Sequence, residues 1–305
     1  INADISDTDS NLGIVTARGN WKGKTKGGLV RTCDNFKTFE RIGMPFGINA
    51  EIDKKLHEIE NPNVNAGWVA MSPDGVNIVW SVADGIRLPV ELVLVSNDGG
   101  DNFQKARVFD LKGRSVETGY LKVFSDRSSK DLFYGFGGTS EMYVSRDGGR
   151  NFYQKQPQET FPICDFGYID TANKTEVRGE GGKTGIFYLA LGDAGLYKFC
   201  YDTKTEETHV KRLTDEGDAC YRMGLGVIGE DSDYLTEEKA IYFCGRLDGE
   251  YGFYRTLDEG KSYERLNQNN QMYGEINSMD GDKRKFGRFF LATGSRGVLY
   301  GEMKR

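Results

Sequence analysis

Three stretches of this 305-residue chain hold a carboxylate in one frame: SNDGGDNFQ at 96–104, SRDGGRNFY at 145–153 and TLDEGKSYE at 256–264. The frame reads Ser or Thr, any residue, Asp, any residue, Gly, two more residues, then an aromatic, which is Phe103, Phe152 or Tyr263. Such an Asp can do acid–base chemistry or it can tie a turn. The neighbours decide for the turn. Asp accepts hydrogen bonds from backbone amides just ahead of it, Gly supplies positive φ, and the aromatic fills the gap between adjacent repeats. A weaker copy, TCDNFKTFE at 32–40, keeps Thr32, Asp34 and Phe39 but has Phe36 where the glycine should stand.

Other reactive side chains are sparse. His57 and His209 lie far apart, which leaves no histidine-based nucleophile and no multi-histidine metal site. The five cysteines, Cys33, Cys164, Cys200, Cys220 and Cys244, are odd in number, show no CxxC spacing and read mostly as buried thiols, with one pair open to a bridge in a secreted protein. MDGDKRKFG at 279–287 starts like a calcium loop but lacks the third ligand and the terminal Glu, so it reads as a polar hairpin. No phosphate-binding or dinucleotide fingerprint occurs, and no cofactor or metal is expected. A net charge of −6 argues against a nucleic-acid footprint, and no apolar run reaches the length of a membrane-spanning helix. The opening INADIS has neither an initiator Met nor a signal peptide and reads as the start of an excised piece.

What positions these residues is a repeat. From Asp34 to Asp98 is 64 residues and from Asp98 to Asp147 is 49, while the 111 from Asp147 to Asp258 leave room for one unmarked copy, where KFCYDTKTEETHV at 198–210 stands around Asp202. Each repeat carries about four alternating strand patterns, as in YLKVFSD, DLFYGFG, EMYVSRD and NFYQKQP. Four strands per repeat make a propeller blade. The expected fold is therefore an all-β propeller of antiparallel four-stranded blades with Asp-box turns. It forms one domain over 1–305, with blades at 1–43, 67–110, 120–157, 165–214 and 221–268. The tail, GEINSMD, GRFFLATG and GVLYGEM, supplies three strands without a fourth, giving about six blades. The stretch 47–65, with Ile52, Leu56 and Ile59 at helical spacing, reads as an inserted surface helix rather than a flap over a substrate.

In such blades the Asp-box turns share one end with the first-to-second strand turns. Ligand contacts are expected at the other end. Its loops and the strand entrances beside them hold the candidate substrate-binding residues Trp21, Tyr120, Tyr221, Arg222, Asn270, Gln271 and Tyr273, with Arg87, Arg246, Asp248, Tyr251 and Arg296 nearby. Aromatic faces mixed with amides and charges suit a sugar chain, whose C–H faces stack on rings while its hydroxyls take hydrogen bonds.

The chain also resembles the xyloglucan-active enzymes of glycoside hydrolase family 74 over nearly its whole length. The carriers are VAMSPDGVNIVWS at 69–81, FSDRSSKDLFYGFGGTSEMYVSRDGGRNF at 124–152, and YGFYRTLDEGKSYERLNQNNQMYGEIN at 251–277 followed by GRFFLATGSRG and YGE. The resemblance implies the second of two seven-bladed propellers, lacking its first part, in a secreted enzyme that cuts a xylose-branched β-1,4-glucan with inversion. The partners it implies are xyloglucan or a related β-glucan, the N-terminal propeller and the missing blade. The family's general acid lies in a segment expected upstream of Ile1. No catalytic residue is therefore assigned in this chain, and the role is not transferred to Asp4, Asp7 or Asp9. The competing reading is a non-catalytic Asp-box propeller that binds a glycan or a protein. A sialidase reading rests only on GIRLP at 85–89, in mid-chain, and is discounted.

Overall fold

The computed structural model describes residues 3–17, 28–43, 67–82, 92–117, 121–127, 129–137, 141–157, 175–180, 184–234 and 238–303. The proposed insertion at 47–65 lies outside them, as do Trp21, Arg87, Tyr120 and Cys164. The chain divides into two compact units, Ile1–Gln156 with Gly179–Gly185, and Pro157–Arg178 with Ile186–Arg305.

Every described element is a strand, and the strands form six sheets of the propeller-blade type. The first unit holds three. They are β1 (Ala3–Ile5), β2 (Gly13–Ala17), β3 (Gly28–Thr32) and β4 (Glu40–Gly43); then β5 (Trp68–Met71), β6 (Ile78–Val82), β7 (Leu92–Ser96) and β8 (Gln104–Lys105); then β9 (Arg107–Phe109) with β10 (Lys122–Ser125), β11 (Phe133–Phe136), β12 (Met142–Ser145) and β13 (Asn151–Lys155). The fourth sheet, mostly in the second unit, is β14 (Thr175–Glu180), β15 (Thr184–Leu191), β16 (Leu196–Asp202) and β17 (Thr208–Arg212). The fifth is β18 (Ala219–Val227), β19 (Lys239–Leu247), β20 (Glu250–Thr256) and β21 (Glu264–Arg265). The sixth has three strands, β22 (Ile276–Gly281), β23 (Arg288–Thr293) and β24 (Val298–Glu302). One boundary differs from the sequence reading. Residues 107–109, assigned to the second blade, pair in parallel with β13 and cover the outer edge of the third.

The interior strands are apolar on both faces because both faces are covered. Along β6, Ile78 and Trp80 pack with Ile14 and Leu29 of the first sheet, while Val79 packs with Phe133 and Phe152 of the third. Along β19, Ile241 and Phe243 join Tyr188 and Leu196 of the fourth sheet. Tyr242 and Cys244 join Met279 and Leu291 of the sixth. This is the two-residue alternation of a strand, used twice over. It also sends Cys220 and Cys244 into opposite layers of core. Of the described cysteines, Cys220 and Cys244 are buried, Cys200 is half-buried, and Cys33 is exposed rather than buried.

The Asp frames are turns between the third and fourth strands. Asp98 Oδ1 accepts from Ser96 Oγ at 2.7 Å and from the Asn102 amide at 3.0 Å, while the Gly100 amide donates back to Ser96 Oγ at 2.9 Å. Asp147 and Asp258 repeat the pattern with Ser145 and Asn151, and with Thr256 and Ser262. Asp34 repeats it with Thr32 and Thr38, although Phe36 must take a φ of +63° in the glycine's place. Room for the Phe36 ring exists because residue 13 is glycine: a Cβ there would lie 2.7 Å from the ring. In the fourth blade Asp202 ties the turn through the amides of Lys204 and Thr205.

The frame's glycine has a second duty. A Cβ on Gly100 would lie 2.6 Å from Ile42 of the first blade, one on Gly149 2.3 Å from Val79 of the second, and one on Gly260 2.9 Å from the Leu213 carbonyl. Gly113, also at positive φ, has open space around its Cβ position. Gly113→Ala should therefore cost only backbone strain, about 1–2 kcal/mol. Gly149→Ala should add about 1–3 kcal/mol of overpacking to that strain. Urea unfolding midpoints of the two variants check the difference.

Hydrogen bonds from the hydroxyls and amides of the turn hold Asp34, Asp98 and Asp258 at a pKa of about 2, led by the side chains of Thr38, Ser96 and Ser262 respectively. A folded-state pKa below the unfolded value of about 3.9 gives stability that is present above that value and lost as pH falls toward 2. Thermal midpoints should be flat above about pH 5 and fall between about pH 4 and 2. Asp98→Asn should be less stable at pH 7 and lose less on acidification, read by calorimetry across that range.

Candidate functional site

The second unit builds a cluster at the end of its sheets away from the Asp-box turns, and it begins with an irregularity in β18. Cys220 pairs with Gly245 and Arg222 with Cys244, which leaves Tyr221 as the extra residue of a bulge. A bulge re-aims one side chain out of the ladder. Gly245 permits it, since a Cβ there would lie 2.0 Å from the Ala219 carbonyl oxygen. The turn after β15 is fastened beside it by paired Gly192–Cys220 backbone bonds of 2.8 Å, and this sets Asp193 to accept from the Tyr221 hydroxyl at 2.9 Å.

Tyr251 comes to the same place along β20, opposite Arg246 of β19. Its ring centroid is 6.4 Å from that of Tyr221, with the planes tilted by 35°. The hairpin joining β19 to β20 turns on Asp248 and Gly249, both at positive φ, as a tight two-residue turn requires. Asp218 clamps it by accepting from the Asp248 amide at 2.9 Å and from the Asp215 amide at 3.1 Å. Burial, assisted by Asp193, raises the Tyr221 pKa; burial, assisted by the Cys244 thiol, raises that of Tyr251. Both phenols are thus neutral hydrogen-bonding groups at physiological pH.

Arg222 does something other than face a ligand. It is buried, its Nε donates to the Asn277 carbonyl at 2.8 Å and its Nη1 to the Tyr221 carbonyl at 2.6 Å. Burial lowers its pKa, with Cys244 and Glu275 acting in the opposite direction. It holds the bulge against the sixth sheet.

The remaining candidates form a second group. Tyr273 lies flat on Phe253, centroids 6.2 Å apart and planes 3° from parallel. Asn270 and Gln271 are exposed on the 267–273 loop, where Gln271 Oε1 accepts from the Gln268 amide at 2.9 Å. Asn267 organises that loop by accepting from the Phe253 amide at 2.8 Å. Asp193, Asp218 and Asn267 were not singled out by sequence reasoning. Asp193 stands in GDAG, a turn recognisable as such, but its phenol partner lies in the next blade.

The first unit uses its early aspartates structurally. Asp4 pairs with Arg127 at 2.5 Å and accepts from the Met71 amide at 2.8 Å, Asp7 lies 3.6 Å from Arg127, and Asp9 caps its own turn through the Asn11 amide.

No protein-family model matches the chain. A xyloglucanase of Paenibacillus sp. is 28% identical over 238 residues, 77% of this chain and 20% of that enzyme. A xyloglucanase of Acetivibrio thermocellus is 29% identical over 246 residues, 80% of this chain and 25% of that enzyme. The chain is a partial homologue of larger xyloglucanases. Among solved structures, a GH74 xyloglucanase from Xanthomonas campestris superimposes with a TM-score of 0.70 at 19% identity, covering 99% of this chain and 37% of that one, which shows the propeller fold. The chain thus spans a quarter or less of the length of these two curated relatives.

Because Arg222 satisfies two backbone carbonyls in a buried place, Arg222→Ala should lower stability by about 1–3 kcal/mol. Urea denaturation without any ligand measures this, and an unchanged midpoint would contradict the positioning role.

Proposed function

We propose that this chain is part of a secreted xyloglucan-degrading glycoside hydrolase of the inverting, endo-acting kind, and that it contributes one wall of the substrate cleft. The observation that carries the reading is the similarity to xyloglucanases from separate organisms over about four-fifths of the chain. The Tyr221–Tyr251 platform, with Asp193 and Arg246 beside it, supports it as a surface of the right chemistry for a glucan backbone: two ring faces for C–H stacking, and polar groups for hydroxyls.

Inverting hydrolysis needs an acid and a base about 6.5–9.5 Å apart, so that a water fits between base and sugar. Asp4, Asp7 and Asp9 are committed to structural contacts, and the reading assigns both catalytic carboxylates to segments outside this chain. The other polypeptide segments it calls for are an N-terminal propeller and a further blade of the same enzyme.

The test is reducing-end release from xyloglucan, beside unbranched β-glucan, by the longest product of the gene. Release from xyloglucan, with the new chain end first appearing as the α-anomer by NMR, is expected. No release from either polymer would favour a binding propeller. In the same protein Tyr251→Ala should raise KM about threefold to tenfold, the worth of one stacking contact, with kcat within about twofold.

A further inference from the structure

Beneath the Tyr221–Tyr251 pair lies a thiol. Cys244 of β19 is 1% exposed and stands between Arg222 of β18 on one side and Phe253 of β20 on the other. It belongs to the core layer of Phe253, Ile276 and Met279, against which Tyr221 and Tyr273 pack. Cys220, diagonal to it across the bulge, faces the opposite layer. Side chains two residues apart on a strand share a face. Cys244 therefore lies on the face of β19 that also carries Arg246, and Tyr251 and Phe253 lie on the same face of β20.

Tyr251 is 36% exposed, but its hydroxyl is turned inward and donates to the Cys244 sulfur. Burial pushes the thiol pKa up to about 11, with Arg222 pulling the other way, so the sulfur is a neutral acceptor at physiological pH. A thiol suits the place, because it packs like a small apolar group and still accepts a weak hydrogen bond. With its hydroxyl held from behind, Tyr251 offers a ligand its ring face alone, whereas the Tyr221 hydroxyl goes to Asp193 at the surface. A ring fixed before a ligand arrives loses less rotamer freedom on binding.

We propose that Cys244 is a positioning residue: it anchors the Tyr251 hydroxyl, fixes that ring at its tilt to Tyr221, and so preorganises the platform for a sugar it never touches. This rests on the reading of the Tyr221–Tyr251 pair as a glucan-binding surface. Thiol and phenol then act as one unit, and losing either costs what losing both costs.

The experiment is a double-mutant cycle in the longest product of the gene, read by xyloglucan hydrolysis. Cys244→Ala and Tyr251→Phe should each raise KM about twofold to fivefold with kcat within about twofold, and the double variant should match either single one. Cys244→Ser, which keeps an acceptor for the phenol, should stay within about twofold of the parent protein. Effects that multiply in the double variant, an unmoved KM, or a Cys244→Ser variant as impaired as Cys244→Ala would each overturn the proposal. Methylmercury labelling with mass-spectrometric mapping reads the same contact without activity. Cys244 should label faster in Tyr251→Ala than in the parent protein, and equal rates would overturn the contact. Tyr251-dependent labelling without hydrolysis would leave the contact standing and sink the enzyme reading; hydrolysis with labelling indifferent to Tyr251 would do the reverse.

Discussion

The close approach of each Asp-box glycine to the preceding blade is the constraint on which the rest of the structure depends. The carboxylate and the hydroxyl two residues before it fix the turn, but the glycine fixes the neighbour, since no side chain fits between Gly149 and Val79 or between Gly100 and Ile42. The aromatic then completes the seam: Phe152 is fully buried against the second blade, and Tyr263 donates to the Leu213 carbonyl at 2.8 Å. Turn geometry and packing between blades are therefore set by the same few residues. A substitution there is felt by two sheets rather than one.

Fixing one end of each blade this way leaves the other end available. There a carboxylate or an amide side chain ties each connection through a backbone amide, Asp218 on the β19–β20 hairpin and Asn267 on the 267–273 loop. The bulge at Tyr221 is the clearest product of that freedom. It takes one residue out of the β18 ladder, is held from behind by Arg222, and places a phenol next to Asp193 and Tyr251. The residue that supports the site is buried, whereas the residues that can meet a ligand are partly or fully exposed.

Much of the architecture was legible because the repeat is written in turn chemistry, which is local. Asp98, Asp147 and Asp258 announce their turns within a few residues, and Asp34 does so despite Phe36 because Thr32, Thr38 and the small Gly13 compensate. Features that depend on two distant stretches were not legible. The parallel pairing of 107–109 with β13 requires knowing where the third blade's edge lies. The burial of Arg222 follows from the bulge one residue earlier, and a bulge leaves no mark in the alternation of so apolar a strand. Tyr221, Asn270, Gln271 and Tyr273 were found as types on the expected loops. Only the fold separates them into a Tyr221–Tyr251 platform and a Tyr273–Phe253 stack.

The most direct test of this account is a crystal structure of the longest gene product with a xyloglucan oligosaccharide bound. The account predicts a sugar ring over the Tyr221 and Tyr251 faces, with hydroxyls within hydrogen-bonding reach of Asp193 or Arg246. An oligosaccharide held at the Asp-box end of the blades, with the Tyr221 platform bare, would contradict it.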